Sequence, residues 1–135
     1  MLSVVLLTVA SVVAVPSAGW AECVSLSRSL ERIFESEKLI FVADVLAVDA
    51  VIDPEPFRWR VRFRVVEAFK GTEPGERVFY FTTTPDDFKF TGGTRVLVFA
   101  SGLDDRLSTS CSRTRVVGDN DGEVQELRKL SAVRK

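Results

Sequence analysis

Residues 57–65 alternate strictly between apolar and basic side chains, and this pattern constrains the fold more than any other feature of the chain. Successive side chains of a β-strand point to opposite faces, so the pattern predicts a strand with one apolar and one cationic face. We expect Trp59 and Phe63 to lie in the core. The apolar positions are Phe57, Trp59, Val61, Phe63 and Val65, and the basic positions are Arg58, Arg60, Arg62 and Arg64.

Four further segments also have the composition of strands. Residues 39–51 form a dense apolar run that only Asp44 and Asp49 interrupt, and the prolines of 53–56 then require a loop. The predicted strands are residues 39–51, 57–65, 77–84, 94–100 and 107–115. Five strands with short connections predict a mainly β chain that forms a small closed barrel.

Two amphipathic segments predict helices on either side of these strands. Residues 25–38 place Leu26, Leu30, Ile33 and Phe34 on one helical face. Near the other end, Asp119–Gly122 is typical of a turn with capping side chains, and a helix over 122–133 follows it. We therefore expect one domain, residues 22–135, with flanking N-terminal and C-terminal helices.

The first 21 residues have the pattern of a signal peptide. Residues 2–15 are almost wholly apolar and carry no charge, and Gly19 and Ala21 supply the small residues that a signal peptidase reads. We expect cleavage between Ala21 and Glu22, with an uncleaved anchor as the alternative. An apolar run of about 14 residues is short for a membrane span, so we expect a secreted or periplasmic protein without a stable span after cleavage.

The chain has two cysteines, Cys23 and Cys111. An exported domain of this size commonly uses such residues as a structural disulfide, and the two lack the Cys-x-x-Cys spacing of a redox pair. In the chain-entropy model, closing a loop of about 90 residues stabilises the fold by about 4–5 kcal/mol.

Composition argues against most catalytic and metal-dependent functions. The chain has no histidine, which is the commonest general base and metal ligand, and it has no nucleophile elbow or phosphate loop. Asp119–Glu123 is similar to part of a calcium loop, but Val117 and Arg128 occupy the first and last ligand positions. We expect no enzyme, no cofactor and no metal site. The formal net charge of −1 gives no general attraction to nucleic acid, which we do not expect as a partner.

The arginines of 58–64 have two interpretations. They could bind a polyanion: an acidic partner, a sulfated glycan or a nucleic-acid backbone. Alternatively, they form a solvated outer face on which cross-strand Asp or Glu side chains neutralise them. We favour the solvated face, because stacking aromatic residues are not expected on the arginine side of the strand.

Several segments, in their order and spacing, resemble one known family. They are Cys23 beside the cleavage site, Phe41-Val-Ala-Asp-Val45, Val66-Glu-Ala-Phe-Lys-Gly71, Gly92-Gly93 before Arg95–Ala100, and Leu107-Ser-Thr-Ser-Cys-Ser-Arg-Thr114. Over residues 22–117 the chain resembles the netrin-like domain of tissue inhibitors of metalloproteinases (TIMPs), especially compact bacterial relatives. The resemblance implies a five-stranded barrel of the OB type.

The chain departs from this family where the family binds zinc. The resemblance aligns Cys23 and Cys111 with one family disulfide, but Ala21 occupies the place of the first cysteine. The partner of that cysteine is replaced within residues 86–88. A terminus at Glu22 would also lie one residue short of the family position. The disulfide that would hold the terminal amine rigid is therefore absent. A rigid terminus is what makes the contact between this amine and the zinc of a protease tight.

These observations predict an exported, monomeric, non-catalytic binding module with a protein partner. The alternative is a metalloendopeptidase inhibitor that acts through the mature N-terminus and adjacent loops, with a metalloprotease as partner. A third hypothesis is polyanion binding through the four arginines. The resemblance places loops 53–56 and 84–90 beside the N-terminus, and the candidate partner-binding residues are Glu22, Asp53, Glu55, Asp86, Asp87 and Phe88.

Overall fold

The structure is a computed structural model that describes residues 28–52 and 57–133. The elements within these ranges are two helices and six strands. In chain order they are α1 (Leu30–Ser36), β1 (Leu39–Val51), β2 (Arg58–Lys70), β3 (Gly75–Phe81), β4 (Arg95–Leu103), β5 (Arg106–Ser108), β6 (Arg115–Val116) and α2 (Gly122–Val133).

The predicted mainly β fold, a closed five-stranded barrel of the OB type with two flanking helices, is confirmed. β1 forms hydrogen bonds with both β2 and β4, so the strands close in the order β1–β2–β3–β5–β4. All neighbours are antiparallel except β3 and β5, which run parallel through the pair Phe81 and Leu107. β6 adds a short antiparallel pairing to β4.

The long first strand closes the barrel because it bends. It pairs with β4 over residues 39–44 and with β2 over residues 40–51. Its register with β2 shifts at three points, between Ile40 and Phe41, between Val42 and Ala43, and between Val45 and Ala47. Such irregularities bend a strand and increase its twist, which lets one strand contact both neighbours.

Two hydrophobic clusters explain the dense apolar runs of β1 and β4. Phe41 and Val98 belong to the cluster in the barrel interior, whereas Ile40 and Phe99 belong to a second cluster with the helices. Residues 39–43 of β1 and 96–100 of β4 are thus buried on both faces, which removes the polar alternation of a half-exposed strand there. The second cluster is formed by Leu30, Ile33, Phe34, Ile40, Val42, Phe69, Leu97, Phe99, Val117, Val124 and Leu127.

The prediction that both Trp59 and Phe63 lie in the core is half correct. Phe63 is 0% exposed, whereas Trp59 is 37% exposed. Trp59 pairs with Phe81, the last residue of β3, so it lies where the ladder ends and fewer side chains cover it. Its ring packs edge to face against Phe57, with 5.1 Å between the ring centroids.

The predicted fifth strand, 107–115, is wrong as a single element. The chain forms the short strands β5 and β6, with turns between them in which Cys111 has a positive φ of 51°. Threonine side chains replace the missing ladder: the Phe99 amide donates to Thr114 Oγ1 (2.9 Å), and the Phe88 amide donates to Thr109 Oγ1 (2.8 Å). Hydroxyl side chains of this kind compete with regular strand pairing.

Other element boundaries also differ from the prediction. β2 continues to Lys70 rather than ending at residue 65, and β3 ends at Phe81 rather than at residue 84. α1 begins after Ser29, whose side chain accepts a hydrogen bond from the Arg32 amide. The predicted helix residues 25–27 lie outside the described residues, whereas α2 has the expected bounds. In the described part of the chain, no helix is long and apolar enough to cross a membrane.

Candidate functional site

The predicted site residues are distributed over two regions of the barrel. Glu22, Cys23, Asp53 and Glu55 lie outside the described residues. The segment from residue 82 to residue 94, which joins β3 to β4, contains Asp86, Asp87 and Phe88. The four arginines lie on β2 and form the second region.

Asp87 is buried and joins two segments of the chain. Its Oδ2 accepts hydrogen bonds from Thr82 Oγ1 (2.8 Å), Thr84 Oγ1 (2.6 Å) and the Thr84 amide (2.9 Å). Its Oδ1 accepts from Ser108 Oγ (3.1 Å) and from the Thr109 amide (2.9 Å). The residue is only 8% exposed. One carboxylate therefore holds the segment after β3 against the segment after β5.

The hydrogen bonds keep this buried carboxylate ionised. Burial alone raises the pKa of Asp87, but the hydrogen bonds from Thr84, Thr82, Thr109 and Ser108 together lower the pKa below its ordinary value of 3.8. Hydrogen bonds to an ionised acceptor are stronger than those between neutral groups. Both oxygens of Asp87 are engaged internally, so this residue shapes the candidate surface from beneath.

The neighbours of Asp87 differ in exposure. Asp86 is exposed, whereas Phe88 is half-buried and packs against the barrel core. The Phe88 ring also packs edge to face against Phe90, with 5.0 Å between centroids. Of the three predicted partner-binding residues in this segment, Asp86 is the one whose side chain is open to solvent.

Cys111 lies beside α1, where the described part of the chain begins. It lines a small cavity with Arg28, Ile33 and Glu37, among others. Arg113 Nη2 donates a hydrogen bond to the Arg28 carbonyl at 2.8 Å. Arg28 therefore lies near Cys111, and it follows Cys23 by five residues in the sequence. Cys23 itself lies outside the described residues, and its bond to Cys111 stays a prediction.

The intact mass of protein recovered from outside the cytoplasm tests both the predicted cleavage site and the predicted disulfide. We expect a chain that starts at Glu22 and is lighter by two hydrogen atoms than its sequence mass, because a disulfide removes one hydrogen from each thiol. Alkylation should require prior reduction. Thiols that react without reduction would contradict the disulfide, and a different first residue would contradict the cleavage site. The variant Cys23→Ser is the control, because it leaves one thiol to alkylate.

Glu37 is a half-buried acid that the sequence patterns do not single out. Burial raises the pKa of Glu37, although a hydrogen bond with Ser101 and the charge of Lys70 act in the opposite direction. Its Oε2 has no hydrogen-bond partner among the described residues. Glu37 follows α1 and shares the cavity at Cys111. A glutamate at the end of a helix is ordinarily exposed, so only the packing of α1 on the barrel reveals this environment.

The four arginines of β2 have different cross-strand neighbours on the two adjacent strands, β1 and β3. Arg58, Arg60, Arg62 and Arg64 alternate with the buried Val61, Phe63 and Val65, as predicted. On β1 the cross-strand neighbours of Arg60, Arg62 and Arg64 are Asp49, Ala47 and Asp44. On β3 the corresponding neighbours are Tyr80, Val78 and Glu76.

Two of the four arginines are held by neighbouring groups. Arg60 Nη2 lies 3.4 Å from Asp49 Oδ2, which is the cross-strand neutralisation that the solvated-face interpretation predicts. Arg58 Nη1 lies 3.8 Å from Asp105 Oδ2, and its guanidinium lies over the Tyr80 ring, 5.4 Å from the centroid. The expectation that no aromatic residue shares this face is therefore wrong. Tyr80 belongs to the neighbouring strand, so the sequence of β2 alone could not reveal it.

The other two arginines, Arg62 and Arg64, make no ion pair with any residue that the structure describes. Arg62 has only Ala47 and Val78 directly across the ladder. Asp44, across from Arg64, is instead bound by Arg95 through two hydrogen bonds of 2.8 and 3.0 Å. The hydrogen bond from Arg95 lowers the pKa of Asp44. Asp44 is therefore already neutralised from its other side.

Exposed apolar side chains gather near the connection between β1 and β2. Ile52 is 70% exposed, and Phe57 and Trp59 are each more than one third exposed. Arg58 Nη1 donates to the Asp105 carbonyl at 3.3 Å, which brings the turn after β4 to the same region. Leu103, at the end of β4, is 67% exposed. We call Ile52, Phe57 and Trp59 the apolar edge.

The described part of the chain contains no group of three or more acidic or cysteine side chains that could hold a metal ion. Asp121 accepts hydrogen bonds from the Glu123 and Val124 amides, so the acidic turn before α2 caps that helix.

No protein-family model matches this chain, and no curated protein matches it.

Proposed function

We propose that this protein is an exported, non-catalytic binding module of the netrin-like, TIMP-like type, with a protein as its partner. The proposal rests mainly on the hydrogen bonds of Asp87, which hold the exposed turn at residues 85–86 against the segment with Cys111. A turn that is rigid before binding loses less conformational entropy when a partner docks. A surface of this kind suits recognition by shape.

The apolar edge supports a protein partner in particular. Exposed aromatic residues are enriched among the side chains that contribute most to protein interfaces. Phe57 and Trp59 already pack against each other, so their rings are ordered without a partner. Trp59 pairs with Phe81, and Thr82 then bonds Asp87, so the apolar edge and the turn are adjacent along β3. A single partner could therefore contact both.

Crosslinking in the secreted or envelope fraction identifies a partner, and variants of the apolar edge then test the surface. We expect the double variant Phe57→Ala/Trp59→Ala to bind the purified partner at least about tenfold more weakly, because central aromatic residues commonly contribute about 2 kcal/mol or more. The control is Val116→Ala, which truncates an exposed apolar residue on β6. Equal affinities for the wild type and the double variant would contradict this surface.

Inhibition of a zinc metalloendopeptidase is the second candidate function. It is favoured by the position of the turn at residues 85–86, because Asp87 bonds to Thr109, two residues from Cys111. If Cys23 pairs with Cys111, as the resemblance implies, the mature N-terminus is tethered close to this turn. A terminus and a neighbouring loop would then enter a protease cleft together.

Titration of the exported, oxidised protein against a panel of zinc metalloproteases tests this second candidate. Stoichiometric loss of protease activity would support it, and Asp86→Ala should then weaken inhibition because Asp86 is the exposed acid of the turn. Absence of inhibition at micromolar protein would leave the family resemblance as one of architecture and would favour a different envelope partner.

A further inference from the structure

The outer face of β1, β2 and β3 contains a shallow groove on the arginine side of β2. The groove has a volume of about 340 Å³ and is lined by Ala47, Asp49, Arg60, Arg62, Val78 and Tyr80. Ala47 and Val78 form an apolar strip on either side of Arg62, and Val78 is 48% exposed. The groove thus combines an apolar floor with charged side chains.

The charge of this face differs from that of the whole chain. The chain carries a formal net charge of −1, yet Arg62 and Arg64 make no ion pair with any described residue. Two acids lie across the ladder from Arg64: Asp44 on β1, which Arg95 binds, and the exposed Glu76 on β3, which forms no ion pair with Arg64. Arg62 and Arg64 are exposed, and cations without an ion-pair partner favour a ligand of negative charge because opposite charges attract across an interface.

The spacing of the cations favours one class of polyanion. Alternate residues of a strand lie about 6.8 Å apart, because each residue rises about 3.4 Å. Alternate side chains of a second extended peptide have the same spacing and also point to one side. An acidic strand that lies along β2 can therefore place successive carboxylates at Arg60, Arg62 and Arg64. Its intervening backbone would cover the strip of Ala47 and Val78.

We propose that this face binds an extended acidic peptide, with Asp or Glu at alternate positions, from a partner protein. Single-stranded nucleic acid is less suitable, because its binding sites use several aromatic side chains for successive bases. Among the described residues of this face, Tyr80 is the one aromatic, and Arg58 already covers its ring. The proposed surface is separate from the turn at residues 85–86, so each can be tested without the other.

Fluorescence anisotropy with two labelled octapeptides tests the proposal. One peptide alternates Glu and Thr, and the other has the same composition with its four Glu residues in one block. We expect the alternating peptide to bind more tightly, and we expect the affinity to fall as salt rises, because added salt shortens the range of exposed charges. Arg62→Glu/Arg64→Glu should weaken binding about tenfold or more, since each exposed contact contributes up to about fivefold and the new carboxylates repel the peptide.

The control variant is Arg32→Glu/Lys129→Glu, which makes the same total charge change at exposed positions on α1 and α2. It should retain the affinity of the wild type, and all variants should keep its urea midpoint. Equal binding of the two peptides, or equal loss in the Arg32/Lys129 and Arg62/Arg64 variants, would overturn the proposal. Binding of heparin or single-stranded DNA without binding of the alternating peptide would also overturn it.

Discussion

Replacing Phe63 with alanine is expected to lower the free energy of unfolding by about 4 kcal/mol, because it leaves a large cavity in the barrel interior. The side chain is completely buried. Its ring centroid lies 5.2 Å from that of Phe41, 5.3 Å from Phe90, 6.0 Å from Phe79 and 6.1 Å from Phe81. Four aromatic neighbours from β1, β3 and the following segment cannot all move inward to fill the space. Urea unfolding of the oxidised protein measures the loss.

Trp59→Ala is the matched control, since Trp59 has the same parity on the same strand. Its side chain is partly exposed at the end of the β2–β3 ladder, so we expect less than half of the loss measured for Phe63→Ala. If Phe63→Ala does not fold, Phe63→Leu should fold with a loss of about 1 kcal/mol. Equal losses for Phe63→Ala and Trp59→Ala would show that burial does not differ along β2 in the way described.

The architecture of the barrel could be predicted because its strands follow simple physical rules. The alternation of 57–65 defined β2 and its two faces, and the dense apolar run of 39–51, which only Asp44 and Asp49 interrupt, indicated the long strand β1. The sequence pattern could not show how far each strand extends along its neighbours. Trp59 has the same spacing as Phe63, yet only the length of β3 determines that Trp59 lies at the margin of the core.

The segment with Cys111 shows the limit of local reasoning. Residues 107–115 have strand composition, but Thr109 and Thr114 bond to distant backbone amides instead of continuing a ladder. These contacts depend on Phe88 and Phe99, which are distant in sequence. A run of Ser and Thr residues signals such competition only in general terms.

The sequence predicted only part of the candidate surfaces, because contacts between residues distant in the sequence determine the rest. The sequence identified four arginines on one face, but their partners depend on the register of β2 against two other strands. Asp49 lies across from Arg60 and Ala47 lies across from Arg62 because β1 contains a bulge between residues 45 and 47. A register without that irregularity would pair different side chains, so the unpaired state of Arg62 could be found only in three dimensions.

Replacing Asp87 with alanine is expected to lower the free energy of unfolding by about 3 kcal/mol, because it removes an ionised acceptor and leaves several partly buried donors without it. Asp87→Asn keeps the size of the side chain but loses the charge, and we expect a loss of about 2 kcal/mol. The neighbouring Asp86→Asn is the control. Asp86 is exposed and should change stability by no more than about 0.5 kcal/mol in either direction.

The pH dependence separates the charge of Asp87 from its shape. The folded-state pKa of Asp87 lies below the ordinary value of 3.8, so its ionised form contributes stability above pH 3.8 that is lost as pH falls through the folded-state pKa. Urea unfolding at several pH values should therefore show the wild type and Asp87→Asn converging in stability as the pH is lowered below 3.8. A difference that stays constant across this range would mean that the side chain acts through packing. The turn at residues 85–86 would then be held without the charge, and its rigidity should survive acid.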